Sequence, residues 1–192
     1  PFPGNLYSAL RCAQWIRQNF PQVKIVMGGG YVNTELRSLT DPALFDFIDY
    51  LVFDDGELPL LRIMDGGELI RTLYRDDAGA IIRVNFDSKE NIPFAESGTP
   101  SYEGLLQNNY INMIELTNPM HALWSNGKWN KLMLAHGCYW GKCAFCDGAL
   151  DYVKRFDQAP VELIVDRMEA VIAQTGQTGF HFVDEAAPPA LL

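Results

Sequence analysis

Three cysteines lie within nine residues of each other, and their spacing is C-x4-C-x2-C. They are Cys138, Cys143 and Cys146. Thiolates this close in sequence can hold one metal centre, and iron–sulfur clusters are ligated by cysteine, normally by four. Three ligands would leave one iron open for a substrate or a cofactor. Gly137 and Gly141 allow the close backbone approach that such a loop needs. The aromatic residues of the loop could shield a cluster from water; they are Tyr139, Trp140 and Phe145.

A structural zinc site is the alternative interpretation of the same cysteines. Zinc prefers four closed ligands, commonly Cys3His, and either His136 or His181 could supply the fourth. Such sites usually contain two separated ligand pairs, whereas all three thiols here share one loop. The spacing therefore favours a cluster, and a zinc-stabilised binding module without redox chemistry remains the second hypothesis.

The elements predicted around the cysteine loop form a βαβ unit. Residues 131–135 read as a strand before the loop. Residues 160–174 read as a helix with one apolar face, and residues 180–183 as a second strand. The loop thus lies at the strand-to-helix position where α/β folds place their sites. Asp184 and Glu185 follow the second strand, at the same end, where they could contact a ligand.

The first part of the chain has the pattern of a parallel sheet covered by helices. Helices are predicted at 5–20, 42–47 and 57–64, and strands at 23–27 and 48–53. The first strand ends in Gly28-Gly29-Gly30. Alternation of helix and strand predicts an α/β fold.

The middle of the chain changes character. Residues 69–74 and 80–86 flank Asp76-Asp77-Ala78-Gly79, which predicts a β-hairpin. Residues 87–130 contain Pro93, Pro100 and Pro119 and read as an ordered linker. We therefore expect three parts, with an α/β domain at 1–68, the hairpin and linker at 69–130, and the βαβ unit at 131–192.

Composition excludes several functional classes. The 192 residues include 15 Lys+Arg and 24 Asp+Glu, a net charge of −9, with no basic cluster that would suit a nucleic acid. No apolar run approaches the ~20 residues that span a bilayer. Clustered cysteines indicate a reducing compartment, the cytoplasm, and Cys12 reads as a small apolar helix residue. The chain starts without Met, and both ends read as cut from a longer protein.

The cysteine loop resembles the cluster-binding motif of the radical S-adenosylmethionine (radical SAM) superfamily. Its usual form is C-x3-C-x2-C with an aromatic residue before the last cysteine, the place of Phe145 here. This chain has one extra residue between Cys138 and Cys143, as some relatives do. The strand before the loop and the helix after it are similar to those of the family. Residues 182–185 resemble the end of its second barrel strand.

The resemblance implies a function and a set of ligands. Cys138, Cys143 and Cys146 would bind three irons of a [4Fe–4S] cluster, and S-adenosylmethionine would bind the fourth. Reductive cleavage of that molecule would yield a 5′-deoxyadenosyl radical, which abstracts hydrogen from a small-molecule or peptide substrate. An external one-electron donor is implied. The backbone at Phe145 would meet the adenine, and Asp184 and Glu185 would contact S-adenosylmethionine or substrate.

Residues 23–30 and 49–57 resemble the second half of a cobalamin-binding domain of the kind fused ahead of radical SAM barrels. There a Gly-Gly after a strand lets the backbone approach the nucleotide tail, which Gly28, Gly29 and Gly30 would do here. The D-x-H-x-x-G signature of that domain would lie before residue 1. The implied fold is the C-terminal part of a doubly wound, Rossmann-like domain followed by the start of a TIM-like barrel. Cobalamin-assisted methyl transfer or another radical modification is implied, and this stretch alone is expected to be inactive.

Overall fold

The computed structural model describes residues 2–106, 109, 129–146, 148, 150–184 and 186. The chain divides into two compact units, residues 1–92 and residues 93–192. Glu185, Pro119 and most of the second half of the predicted linker lie outside the described residues.

The first unit is a four-stranded sheet with helices. Its elements are α1 (Leu6–Asn19), β1 (Val26–Met27), α2 (Gly30–Thr34), β2 (Tyr50–Val52), α3 (Glu57–Asp65), β3 (Thr72–Arg75) and β4 (Ile81–Val84), with short 3-10 helices at Pro3–Asn5 and Pro42–Asp46. The strand order is β1-β2-β3-β4. β1 and β2 are parallel, with Val26 opposite Tyr50, whereas β3 is antiparallel to both of its neighbours. The expected parallel arrangement therefore holds for β1 and β2 only.

The hairpin predicted at 69–86 forms as β3 and β4 and belongs to this sheet. Its turn is closed by Asp76, whose N–H donates to Ala80 O at 3.0 Å and whose carboxylate accepts from Ala80 N at 2.8 Å. β3 is hydrogen-bonded to β2, and Leu73 of β3 is fully buried in the core. For this reason the first compact unit continues to residue 92, beyond the division expected at residue 68.

The core of the first unit lies between the sheet and its helices. Alternating and helical apolar positions meet there, as their spacing predicts. Its buried members are Ala13, Met27, Val32, Phe45, Ile48, Leu51, Phe53 and Leu73.

The second unit contains two separate two-stranded sheets among its described residues. Its elements are β5 (Asn130–Leu132), β6 (Ala135–Gly137), α4 (Asp151–Lys154), β7 (Phe156–Gln158), α5 (Val161–Thr175) and β8 (Phe180–Phe182), with a 3-10 helix at Phe94–Glu96. β5 pairs in parallel with β8, and β6 pairs antiparallel with β7. The prediction of one strand over 131–135 is wrong, because the chain changes sheets at Met133 and Leu134.

Helix α5 packs on β5 and β8 as the βαβ pattern predicts. Ile164 and Val171 of its apolar face are buried, and Gly176 ends it in a left-handed conformation with φ of 69°. No helix in the described ranges is both long and apolar enough to span a bilayer. Together the two units make a mixed α/β chain.

Candidate functional site

The cysteine loop starts at a glycine that the structure requires. Gly137 ends β6 with φ of 76° and lies opposite Phe156 of β7. A Cβ built on Gly137 would overlap the carbonyl oxygen of Arg155 and lie 3.1 Å from its carbonyl carbon. Only glycine therefore permits this approach of the two strands, and it fixes where Cys138 leaves the sheet.

The three cysteines follow one another along a single irregular loop. Cys138 and Cys143 are partly buried, Cys146 is exposed, and none of the three is in a disulfide bond. The N–H of Cys146 donates to Cys143 O at 3.3 Å, so these two residues share one turn. Gly141, between Cys138 and Cys143, has φ of 57°, a left-handed conformation that favours glycine. The fold thus brings three thiol-bearing residues to one loop.

The thiols are not gathered into a closed metal site. Within the described ranges, no three side chains of His, Cys, Asp or Glu are placed to hold one metal ion. That finding covers the cysteines alone as well as the cysteines with His136 or His181. The donor chemistry nevertheless fits an iron–sulfur group, because three thiols outside disulfides lie on one surface loop. Ordering of a ligand loop is commonly coupled to binding of its metal, so an open arrangement of suitable donors is compatible with such a group.

The aromatic residues of the loop face outward. Phe145 is 88% exposed and packs into no core. Tyr139 contacts Phe156 of β7 edge-on, with ring centroids 6.3 Å apart. Trp140 lies under Lys142, whose Nζ is 5.4 Å from the ring centroid. These rings offer an apolar surface beside the cysteines, and Phe145 is accessible to a ligand.

Asp184 is partly buried, and its carboxylate is hydrogen-bonded to the backbone. Both of its carboxylate oxygens accept from Leu134 N at 3.0 Å, and one also accepts from Ala135 N at 2.9 Å. Its expected contact with S-adenosylmethionine or substrate stays a prediction. Glu185 lies outside the described residues.

Two polar groups of this unit were missed by the sequence reasoning. Asp157 of β7 accepts from Phe94 N at 2.8 Å and from Arg155 at 3.2 Å. Arg167 is 3% exposed, donates to Phe94 O and Ala95 O, and its burial lowers the pKa of the guanidinium. A signal for Arg167 was present, since it lies three and four residues from Ile164 and Val171 on the apolar face of α5.

His136 and His181 occupy different sheets. His136 is partly buried in β6, opposite Asp157. His181 is exposed in β8, where its Nδ1 lies 2.6 Å from Lys131 Nζ. The two histidines therefore lie on strands of separate sheets.

The glycine turn of the first unit has two structural glycines and one open position. A Cβ on Gly28 would lie 2.9 Å from Val52 Cγ2, so its absence lets β1 approach β2. Gly29 has φ of 95°, a conformation that favours glycine. A Cβ on Gly30 would meet no atom within 4 Å. Of the three, Gly30 alone presents bare backbone to open space without an internal requirement for it.

A polar network ties this turn to the loop after β2. Because β1 and β2 are parallel, both loops lie at the same edge of the sheet. Asn33 of α2 is 3% exposed and its Oδ1 accepts from Asp54 N at 2.7 Å. The Asp54 carboxylate pairs with Arg37, and its backbone is left-handed, with φ of 61°. Asp54 is thus one half of a partly buried ion pair.

Arg71, which directly precedes β3, is also part of this polar network. It is 2% exposed, and its guanidinium lies 3.9 Å from Asp54. It also donates to backbone oxygens of Phe53, Asp55, Ser88 and Glu90 and to the side chain of Asn91. The sequence pattern gave no signal for this, because Arg71 lies in a predicted strand among other alternating residues. These contacts join the loop after β2 to residues 88–91.

Comparison with known proteins identifies the fold. No family model matches the sequence, and no curated protein matches it. Solved structures of OxsB, a cobalamin-dependent S-adenosylmethionine radical enzyme, are similar to it. The apo structure has 14% identity and a TM-score of 0.59, covering 95% of this chain and 24% of that chain. The structure with aqua-cobalamin and S-adenosylmethionine has 14% identity and a TM-score of 0.63, covering 97% and 25%.

A third structure, with aqua-cobalamin alone, has 15% identity and a TM-score of 0.61, again covering 97% of this chain and 25% of that chain. The chain thus spans about a quarter of the length of the enzyme that it matches. At this identity the similarity establishes a shared fold over nearly all of this chain. The resemblance stated from the cysteine loop is confirmed at that level.

Proposed function

We propose that this chain belongs to a radical SAM enzyme and that its cysteine loop holds a [4Fe–4S] cluster with S-adenosylmethionine. One observation carries the proposal. The C-x4-C-x2-C loop occurs in a chain whose fold matches a cobalamin-dependent radical SAM enzyme over 95% of its length. The loop and the fold are independent, because a shared backbone at 14% identity does not dictate cysteines.

Six residues of the loop have a role in this proposal. Cys138, Cys143 and Cys146 would each provide one thiolate. When bound, the cluster supplies the electron that cleaves S-adenosylmethionine to methionine and a 5′-deoxyadenosyl radical. The exposed ring and backbone of Phe145 are available to the adenine, and Tyr139 and Trp140 would limit the access of water.

The glycine turn would accept the nucleotide tail of cobalamin. Gly30 supports this role, since its backbone faces open space at the edge held by Asn33 and Asp54. Residues 1–92 contain no histidine, so a cobalt-binding imidazole would have to come from elsewhere. Substituting Gly30→Leu should weaken cobalamin binding by about tenfold or more, by blocking approach of the ligand. Gly4→Leu is the matched control, because Gly4 also has no atom within 4 Å of its Cβ position; equal binding by the two variants would contradict this role.

The finer architecture follows from the same proposal. The first unit would be the C-terminal part of a doubly wound cobalamin-binding-type domain, and residues 131–192 the opening of a TIM-like barrel. Residues 93–130 would connect them. Methyl transfer to a small-molecule or peptide substrate, or another radical modification, would take place in the cytoplasm with an external one-electron donor.

Release of 5′-deoxyadenosine tests the proposed function. The full-length protein is reconstituted with iron and sulfide without oxygen, reduced, and incubated with S-adenosylmethionine, and the products are quantified by chromatography. We expect release by the wild type and by Cys12→Ala, since Cys12 lies on α1 in the other unit. Cys138→Ala, Cys143→Ala and Cys146→Ala should each reduce release by about a hundredfold or more. A colourless protein with one zinc per chain would instead establish the zinc-stabilised module.

A further inference from the structure

Two buried amides lie where the chain passes from one sheet to the other. β5 follows β8 up to Leu132, whose carbonyl accepts from Val183 N at 3.0 Å. The chain then turns, and Ala135 begins β6 in the other sheet. Leu134 and Ala135 are 2% and 1% exposed, so water does not reach their amides readily. Buried N–H groups need an acceptor inside the protein.

Asp184 supplies that acceptor. It lies two residues beyond the end of β8, and its carboxylate accepts three contacts of 2.9–3.0 Å from Leu134 N and Ala135 N. Bonds from backbone N–H to an ionised carboxylate are stronger than bonds between neutral groups. The Asp184 carboxylate thus accepts hydrogen bonds that a neighbouring strand would otherwise accept. It does so where the chain leaves the sheet of β5 and β8 and enters β6.

The turn that Asp184 holds leads directly to the cysteine loop. Only His136 and Gly137 lie between Ala135 and Cys138, and both are in β6. Gly137 is fixed in turn by its close approach to Arg155. A change in backbone direction at Leu134 and Ala135 should therefore shift Cys138, because the two residues between them are held in β6.

We propose that Asp184 is a positioning residue for the cysteine loop, acting through the backbone at Leu134 and Ala135. The connection to a cluster rests on the proposed function. This role differs from the ligand contact expected from the sequence. The carboxylate has about four acceptor positions, and three contacts to backbone amides already engage it. A metal centre needs its ligands held within fractions of an ångström, and a residue outside the loop can provide that constraint.

Asp184→Asn tests the proposal in metal-free full-length protein. Asparagine keeps the shape but places an N–H₂ donor against an amide donor. We expect hydrogen exchange at Leu134 and Ala135 to accelerate by about tenfold or more. We also expect the alkylation rate of Cys138, measured relative to Cys12 as an internal reference, to change at least about threefold. After reconstitution the variant should bind less iron and show an altered electron paramagnetic resonance spectrum of the reduced cluster.

Two controls separate positioning from general loss of stability. Val171→Ala truncates a fully buried side chain of α5 and should destabilise the unit. It should not accelerate exchange at Leu134 and Ala135 relative to the rest of the unit, and it should not change the ratio of the Cys138 and Cys12 alkylation rates. Asp166→Asn makes the same charge change at an exposed position and should change nothing. The proposal is overturned if Leu134 and Ala135 stay protected from hydrogen exchange in Asp184→Asn. It is also overturned if the ratio of Cys138 to Cys12 alkylation rates changes no more in Asp184→Asn than in Val171→Ala.

Failure of the proposed function gives a different result. A wild-type protein that takes up no iron would remove the cluster and with it the assignment of Asp184 to a metal site. The exchange and alkylation results need no metal, so they would still report whether Asp184 controls the start of the loop.

Discussion

Substitution of Gly137 by alanine should destabilise the second unit at the root of the cysteine loop. The left-handed φ of 76° costs a residue with a Cβ about 1–2 kcal/mol. The added methyl group would also overlap the Arg155 carbonyl, and relieving such overpacking typically costs about 1–3 kcal/mol. The two terms together predict a loss of about 2–5 kcal/mol in the free energy of unfolding.

Gly104→Ala is a closely matched control. Gly104 is in the same unit and has φ of 77°, but a Cβ there would meet no atom within 4 Å. It should therefore cost only the backbone term, about 1–2 kcal/mol. The difference between the variants isolates the contact between β6 and β7.

Urea denaturation of both variants measures this difference, and hydrogen exchange locates it. Gly137→Ala should be less stable than Gly104→Ala by about 1–3 kcal/mol. Faster exchange should be concentrated in β6 and β7, and uptake of iron should fall because Cys138 follows directly. Equal stability of the two variants, with unchanged exchange at 135–137 and 156–158, would refute the reasoning.

Further substitutions test three other parts of the structure, each by urea denaturation. Arg71→Met should cost about 3–5 kcal/mol, because it leaves four carbonyl oxygens and the Asn91 side chain without their buried donor; a cost below about 1 kcal/mol would contradict the network. Arg167→Met should change stability by less than about 1 kcal/mol, since burial penalises the charged guanidinium throughout the neutral pH range and methionine keeps the volume. Arg167→Ala should cost about 3 kcal/mol because it leaves a cavity. Equal costs of the two variants would contradict this interpretation of Arg167. Gly28→Ala should cost about 1–3 kcal/mol because of Val52, and Gly30→Ala should be neutral or slightly stabilising; the reverse order would overturn the assignment of the open position.

Local patterns predicted the elements that local forces determine. Helix α1 is expected at 5–20 and found at Leu6–Asn19, and α5 is expected at 160–174 and found at Val161–Thr175. The hairpin turn at 76–79 was readable from its turn residues. In each case the periodicity or turn chemistry of one short segment carries the information.

Contacts between distant residues explain what the sequence did not reveal. The run from Leu132 to Ala135 is continuously apolar and reads as one strand, yet it divides because Asp184, about 50 residues later, binds its amides. Arg71 looks like any polar strand residue, and its burial depends on carbonyls brought from two other segments. Pairing across such separations leaves no periodic trace in either segment.

In the candidate site too, local sequence predicted some features, and others depend on residues far away in the chain. The spacing of Cys138, Cys143 and Cys146 predicted that they share one loop, which the structure bears out in the path of the backbone. The sequence shows that a glycine precedes Cys138, but it does not show that the Arg155 carbonyl leaves no room for a side chain at Gly137. For Gly28 the reason turned out to be Val52, a residue of the neighbouring strand.

The metal content of the full-length protein, prepared and reconstituted without oxygen, tests the central claim most directly. We predict a brown protein with about four irons and four sulfides per chain, retained in Cys12→Ala and lost when any one of Cys138, Cys143 and Cys146 is replaced by alanine. A wild-type protein that binds no iron and sulfide, or one whose iron survives replacement of all three cysteines, would contradict the account.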